Sequence, residues 1–121
     1  MPPLEKFLRW LPPLVWMAGI FFLSSRTGLP GPAWLSVPGH IVEYGVLSAL
    51  LYLALSQTTS LDRAAVAFLA VALATLYGTT DELHQSFVPG RQSDPIDLMV
   101  DFLAATGVAA IAAVRTRAYS S

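Results

Sequence analysis

Four long stretches of the chain carry no charged residue: residues 10–25, 44–61, 64–80 and 102–114. A helix that crosses a bilayer needs about 20 mostly apolar residues, and each stretch approaches that length when it extends at one end into polar helix. The pattern predicts an all-α, polytopic membrane protein with four transmembrane helices in a single domain over 1–121. We expect the helices at about 8–25, 40–57, 63–84 and 95–115.

Composition favours the membrane class over a soluble helical bundle. The chain of 121 residues is 55% hydrophobic and 12% charged, with a mean hydropathy of +0.58. Soluble domains typically carry about 25% charged residues, and their helices show polar faces that these stretches lack. A net charge of −1 gives no reason to expect a nucleic-acid partner. Cysteine is absent, which excludes disulfides and thiolate metal sites.

Prolines mark two places where regular helix is in question. Pro12 and Pro13 either kink the first helix or mark its true start. Loop 27–39 is rich in proline and glycine, so we expect it to be irregular. It is either a connector on the membrane surface, with Trp34 as an interfacial anchor, or a lid over the polar residues described below. No clear signal-peptide cleavage site follows the first helix, so we expect a retained anchor.

Basic residues predict which end of each helix faces the cytoplasm, because Lys and Arg concentrate in cytoplasmic loops. With four crossings, one side holds Lys6, Arg9, Arg63, Arg115 and Arg117, and the other holds only Arg26 and Arg91. We therefore expect both termini in the cytoplasm.

Two features predict which helices are neighbours. Loop 58–62 is short, so the second and third helices should be an antiparallel pair. Small residues four apart permit close helix contact in lipid. The third and fourth helices contain several of them, including Ala70, Ala74, Gly78, Ala105 and Ala109.

The alternating helix directions place most ionisable residues at the outer membrane face. Six of the eight acidic residues and both histidines fall there. Ionisable groups at the edge of a bilayer are costly, so their presence asks for a functional reason. We refer to the following residues as the polar cluster: His40, Glu43, Asp81, Glu82, His84, Gln85, Arg91, Asp97 and Asp101.

Helical spacing shows which of these side chains share a face. His40 and Glu43 are three residues apart, and Asp97 and Asp101 are four apart, so each pair lies on one face. Asp81, His84 and Gln85 form a similar set on the third helix. Asp101 is furthest along its helix from the outer end, so we expect it to lie deepest in the membrane.

The segment between the third and fourth helices has recognisable turn and cap signals. Pro89–Gly90 predicts a tight turn that brings Arg91 back toward the helices. Ser93 and Asp94 precede Pro95, which is typical of the first position of a helix. Asp94 is therefore more typical of a helix cap than of a ligand.

Four interpretations of the polar cluster remain open. In the first, the residues form a hydrogen-bonded network that joins the helices, with Arg91 paired to Asp94 or Asp97, since buried polar groups need partners. In the second, the cluster is a divalent-metal or acid–base enzyme site acting on a lipid headgroup. Its candidate metal ligands are His40, Glu43, Asp81, His84, Asp97 and Asp101, and its candidate catalytic residues are His84, Glu82 and Asp101.

In the third interpretation, the cluster binds a polar or lipid-linked molecule without changing it. Arg91 offers a planar fork to phosphate or carboxylate oxygens, and Gln85 and Tyr44 are further candidate binding residues. A proton-coupled transporter is a fourth interpretation. Four helices leave little room for a substrate path within a monomer, although a homo-oligomer could supply one.

Two ordered motifs resemble the VanZ-like family of bacterial membrane proteins. The first is His40-x-x-Glu43-Tyr44-x-x-Leu47. The second runs from Asp81-Glu82-x-His84-Gln85 through Pro89-Gly90-Arg91 to Asp94, Asp97 and Asp101. Family members often differ from this chain at three positions, with Lys at Val37, Asn at Asp101 and Gly at Ala104. The resemblance implies a cell-envelope protein of the bacterial cytoplasmic membrane, related to proteins linked to resistance against teicoplanin, a glycopeptide that acts on cell-wall precursors. It also implies a membrane lipid or lipid-linked envelope precursor as the partner.

Overall fold

The computed structural model describes residues 1–26, 36–91 and 93–120, with side chains described up to residue 116. Its regular elements, within these residues, are four α-helices: α1 (Pro3–Ser24), α2 (Val37–Thr58), α3 (Arg63–Gln85) and α4 (Pro95–Ser120). Each contains a segment long and apolar enough to cross a membrane; in α4 it ends at Thr116. The predicted all-α, four-helix membrane fold is confirmed. Trp34 and most of loop 27–39 lie outside the described residues.

Capping residues explain where α3 and α4 begin. The Asp62 side chain accepts a hydrogen bond of 2.8 Å from the backbone N–H of Ala65, which satisfies one of the free donors in the first turn of α3. At α4, the Asp94 side chain accepts a bond of 3.0 Å from the Ile96 N–H, and Pro95 occupies the first helical position. The predicted role of Asp94 as a helix cap is confirmed.

A tight turn follows α3, as the sequence predicts. Gly90 has a φ of 82°, a conformation that other residues rarely adopt. The Arg91 N–H donates to the Val88 carbonyl at 3.1 Å, closing the turn. This turn helps the chain to reverse, so that α4 begins ten residues after the end of α3.

Helix α1 begins earlier than predicted and runs through its proline pair. It starts at Pro3, where the absent N–H costs nothing because the first donors of a helix have no intrahelical partner. Pro12 and Pro13 lie inside the helix. The alternative that this pair marks the start of the helix is therefore wrong.

Helix α4 packs against both α2 and α3, and α1 packs mainly against α2. Small residues form the contact surfaces of α3 and α4, and they are almost completely buried: Ala70, Ala74, Gly78, Ala105 and Ala109. Without water to expel, helices associate in lipid through close packing and hydrogen bonds. The predicted contact through small residues is confirmed, and so is the predicted pairing of α2 with α3.

Hydrogen bonds between helices hold the middle of the bundle. Ser48 on α2 donates to the Ala105 carbonyl of α4 at 2.8 Å. Tyr77 on α3 donates to the Met17 carbonyl of α1 at 2.6 Å. Trp16 on α1 donates to the Glu43 carbonyl of α2 at 2.8 Å. Each bond fixes the height of one helix against another, so the polar ends of the helices meet at one level.

Candidate functional site

The polar cluster lies where α1 ends, α2 begins, α3 ends and α4 begins. Seven polar side chains from these four helix ends are buried: Ser24, His40, Asp81, Glu82, Gln85, Asp97 and Asp101. Their hydrogen bonds join residues that are distant in sequence. The structure therefore brings the predicted residues together at one end of the bundle, and they divide into two sets with different chemistry.

The first set surrounds Asp81 on α3. Ser24 donates to one carboxylate oxygen, and Tyr44 donates to the other at 2.9 Å. Gln85 donates to the Tyr44-bound oxygen at 3.4 Å. Both oxygens of Asp81 are therefore engaged by donors from α1, α2 and its own helix. This carboxylate stabilises the contact between three helices and has little capacity left for a ligand.

The second set begins with His40 on α2, which lies between two carboxylates of α4. Its Nδ1 is 2.7 Å from an oxygen of Asp101, and its Nε2 is 3.6 Å from an oxygen of Asp97. All three residues are buried. Burial of carboxylates is costly unless they are paired. The imidazole provides a partner for Asp101 through Nδ1, whereas Nε2 lies beyond hydrogen-bond distance of Asp97.

Glu82 extends this set to α3. One of its carboxylate oxygens accepts two hydrogen bonds, from the Ser93 hydroxyl at 2.9 Å and from the Asp94 N–H at 3.1 Å. These bonds tie the turn before α4 to the end of α3. The other oxygen, Oε1, is buried and has no hydrogen-bond partner, and the same is true of Oδ2 of Asp101.

Three residues of the second set are close enough to share one ligand. His40, Glu82 and Asp101 each offer a ligand atom, and these atoms lie within 4.8 Å of one another. Of the residues predicted as metal ligands, His40 and Asp101 belong to this group, and Asp97 borders it. Glu43, Asp81 and His84 lie outside it. Glu82, predicted as a catalytic residue, takes a place in the group instead.

Arg91 and Glu43 lie partly exposed at the edge of the cluster. In the described part of the chain, no ion pair joins Arg91 to Asp94 or Asp97, so the pairing expected for a purely structural network does not form. The reason is that Asp94 caps α4 and Asp97 faces His40.

His84 lies apart from the second set and faces α1. Its ring stacks on Phe21 with centroids 4.4 Å apart, and its Nε2 is 3.4 Å from the Ser25 hydroxyl. Its Nδ1 is buried without a hydrogen-bond partner. Tyr44 and Gln85, predicted as binding residues, are buried and engaged with Asp81.

Sequence reasoning did not assign Glu82 to the second set, although a signal was present. Residues four apart form a ridge along a helix. One such ridge on α3 runs through Ala70, Ala74, Gly78 and Glu82, and one on α4 runs through Asp97, Asp101, Ala105 and Ala109. The small residues mark the faces in contact, so the same ridges place Glu82 opposite Asp101. Asp81, one residue earlier, points to another side of α3.

Comparison with known proteins identifies the family. A family model described as VanZ/LLP1 matches residues 35–115, a range that contains α2, α3, nearly all of the spanning part of α4 and all of the polar cluster. No curated protein and no solved structure matches the chain. Four membrane-spanning helices and a family match over most of the sequence lead to one conclusion: this multi-pass membrane protein belongs to the VanZ/LLP1 family.

Proposed function

We propose that the protein binds the anionic headgroup of a lipid or lipid-linked envelope precursor at the polar cluster. Arg91 supports this proposal most directly. It is partly exposed at the edge of the cluster, and its side chain makes no hydrogen bond or ion pair within the described residues. A guanidinium group with free donors is suited to phosphate oxygens, which it binds through two parallel hydrogen bonds.

An apolar cavity that runs along the bundle from Trp10 to Thr80 supports a ligand that carries a hydrocarbon tail. The cavity measures about 290 Å³ and lies between α1, α2 and α3, with Leu14, Leu73 and Thr80 among its lining residues. Thr80 precedes Asp81 in the sequence, so the cavity extends to the level of the polar cluster. A tail in this cavity would place its headgroup near the charged residues.

We further propose that the protein lies in the bacterial cytoplasmic membrane with both termini inside, so that the cluster serves the outer leaflet. Lipid-linked precursors of the cell wall are exposed to glycopeptide antibiotics at this level, which makes the proposal compatible with a role in teicoplanin resistance. The distribution of basic residues supports this orientation. Five basic residues lie at the end of the bundle that holds both termini, and two lie at the end that holds the polar cluster.

Single-cysteine labelling tests this orientation, and the chain has no native cysteine to interfere. Phe87 follows α3 and is 78% exposed, whereas Ser60 lies in the loop between α2 and α3 at the other end. A membrane-impermeant maleimide should label Phe87→Cys in intact cells, and it should label Ser60→Cys only after lysis. The reverse pattern would place the polar cluster on the cytoplasmic side.

Replacing Arg91 by Gln should weaken binding of an anionic lipid at least tenfold, which corresponds to about 1.4 kcal/mol. The expected loss follows from removing a charge-assisted pair of hydrogen bonds. Binding is measured by the rise in melting temperature when short-chain phosphatidylglycerol is titrated into detergent-solubilised protein. Short-chain phosphatidylcholine should produce a smaller rise in the unaltered protein.

Arg26→Gln is the matched control for this measurement. Arg26 lies at the same end of the bundle, after α1, and its guanidinium is 5.7 Å from the centre of the Phe22 ring. The control should bind the anionic lipid as the unaltered protein does. Equal weakening in both variants would indicate general charge attraction and contradict a specific role for Arg91. A response to teicoplanin but to no lipid would assign the cluster to a glycopeptide ligand.

A membrane enzyme that acts on the headgroup is the alternative, and the unpartnered Nδ1 of His84 favours it. Histidine is the side chain most often used as a general acid or base, and Nδ1 forms no hydrogen bond that would compete with that role. The same lipid titrations, followed by mass spectrometry, distinguish the two functions. Unchanged lipid supports binding alone, whereas a product that is lost in His84→Gln supports catalysis.

A further inference from the structure

We infer that His40, Glu82 and Asp101 bind one divalent transition-metal ion, of the class of Mn²⁺ or Zn²⁺. The three residues come from α2, α3 and α4, and their ligand atoms lie within 4.8 Å of one another. No two of them are neighbours in sequence, so packing of the bundle creates the site. Three side chains on three helices also fix its position without any contribution from a loop.

Two carboxylate oxygens without partners provide the independent evidence for a ligand. Glu82 is 7% exposed and Asp101 is fully buried, yet Oε1 of the first and Oδ2 of the second form no hydrogen bond. Leaving a buried acceptor unsatisfied costs free energy, and native proteins rarely do so without a reason. A cation between the two oxygens would give both of them a partner.

The charges of the three residues match a divalent ion. Two carboxylates and a neutral imidazole carry a charge of −2, which a divalent cation neutralises in a region from which water is largely excluded. The imidazole is also suitably oriented. If Nε2 carries the proton and faces Asp97, which is 3.6 Å away, then Nδ1, which faces Asp101 at 2.7 Å, keeps its lone pair for the ion. A carboxylate that orients a ligating histidine in this way is common around metal ions.

The ligand types restrict the metal. One nitrogen and two oxygens suit Mn²⁺ and Zn²⁺, whereas Ca²⁺ is usually surrounded by oxygen alone. The absence of cysteine removes the thiolates that Cu⁺ prefers. A three-residue set also leaves coordination positions free, as in metal sites that accept a water molecule or a substrate.

The ion would give the cluster a second positive centre for phosphate, beside Arg91. This role depends on the proposed function, whereas metal binding itself does not require a lipid. Without the ion, an anionic headgroup approaching Arg91 would meet the negative charge of Glu82 and Asp101. With the ion, that repulsion is removed, so anionic lipid should bind more tightly in the presence of the metal.

Titration with Mn²⁺ tests the inference directly. Protein purified in detergent is treated with chelator, the chelator is removed, and free Mn²⁺ is followed by electron paramagnetic resonance without added lipid. We expect one bound Mn²⁺ per chain, displaced by Zn²⁺. Electron spin-echo measurements should detect one ligating ¹⁴N in the unaltered protein, because His40 is the single imidazole of the set. Substoichiometric binding, or bound Mn²⁺ without nitrogen coupling, would overturn the inference.

Paired variants identify the site. Glu82→Gln and Asp101→Asn should weaken Mn²⁺ binding at least tenfold. Glu5→Gln and Asp62→Asn make the same chemical changes at the other end of the bundle, and Asn can still cap α3. These controls should bind Mn²⁺ as the unaltered protein does. Equal Mn²⁺ binding in all four variants would overturn the inference. If a site variant fails to fold, the nitrogen signal of the unaltered protein still tests whether a histidine binds the ion.

Combining this titration with the lipid measurement separates the two proposals. Stoichiometric Mn²⁺ binding with no response to anionic lipid would support the metal site and reject the proposed function. Lipid binding that is unaffected by chelator, in a protein that binds no Mn²⁺, would reject the metal site and leave the proposed function in place. A tighter response to lipid with Mn²⁺ than with chelator would support both.

Discussion

Replacing Asp81 by Ala should lower the free energy of unfolding by roughly 2–4 kcal/mol. Asp81 accepts hydrogen bonds from Ser24, Tyr44 and Gln85, and it joins α1, α2 and α3. Its removal leaves three buried donors without their acceptor. Individual bonds between membrane helices are modest, so the size of the effect depends on the loss of several at once. Unfolding by sodium dodecyl sulfate in mixed micelles, followed by circular dichroism, measures the change.

Thr79→Ala is the control on the same helix, because Thr79 is exposed and bonds only to its own helix at the Thr75 carbonyl. Its effect should stay within about 0.5 kcal/mol. Tyr44→Phe alone should lower the free energy of unfolding by about 1 kcal/mol. In a protein that already carries Asp81→Ala, the same substitution should have almost no further effect, because the effects of two residues that share a bond are not additive. A loss for Asp81→Ala no larger than that for Thr79→Ala would show that this carboxylate does not hold the helices together.

The sequence predicts the helices well because a bilayer imposes a simple requirement. Each span must be long and apolar, and charged residues are confined to its ends. The third helix was placed at about 63–84 and is observed at Arg63–Gln85. The first helix begins earlier than the sequence predicts, at Pro3, because the prediction follows the apolar run, which starts only after Lys6 and Arg9. Pro12 and Pro13 lie within the helix, so neither proline marks its boundary.

The gathering of polar residues could also be predicted, since alternating helices bring every second end to the same side. Their division into two sets could not be predicted so directly. Asp81 and Glu82 are adjacent, and adjacent residues on a helix point about 100° apart. Which of them faces α4 depends on the rotation of α3, and packing of small residues against α4 sets that rotation. Charge and spacing within one helix do not determine this rotation.

The absence of a partner for Arg91 among the described residues was harder still to predict. Its distance in sequence from Asp94 and Asp97 suggested an ion pair, but both carboxylates have other roles. Asp94 bonds to the first turn of α4, and Asp97 lies against His40. Each of these roles depends on tertiary contacts or on the helix boundary, whereas sequence spacing gives only proximity. The same competition leaves Arg91 available to an external anion, which is the basis of the proposed function.

Gly78→Ala should destabilise the bundle by about 1–3 kcal/mol, although alanine is the better helix former by about 1 kcal/mol. A Cβ at this position would lie 3.0 Å from Oδ2 of Asp101 and 3.3 Å from a ring carbon of Tyr44. Neither group can move freely, because Asp101 is held by His40 and Tyr44 is held by Asp81. The substitution therefore separates α3 from α4 or displaces the Asp101 carboxylate. Unfolding in mixed micelles measures the loss of stability, and Mn²⁺ titration should show weaker binding.

Gly107→Ala separates this steric effect from helix propensity, because a Cβ at Gly107 meets nothing within 4 Å. The control should be neutral or should raise stability by up to about 1 kcal/mol, with Mn²⁺ binding unchanged. The difference between the two variants then measures the cost of crowding at the α3–α4 contact. Equal stability and equal Mn²⁺ binding in both would mean that α3 and α4 do not approach closely at Gly78. The Asp101 carboxylate would then lack the fixed position on which the proposed metal site depends.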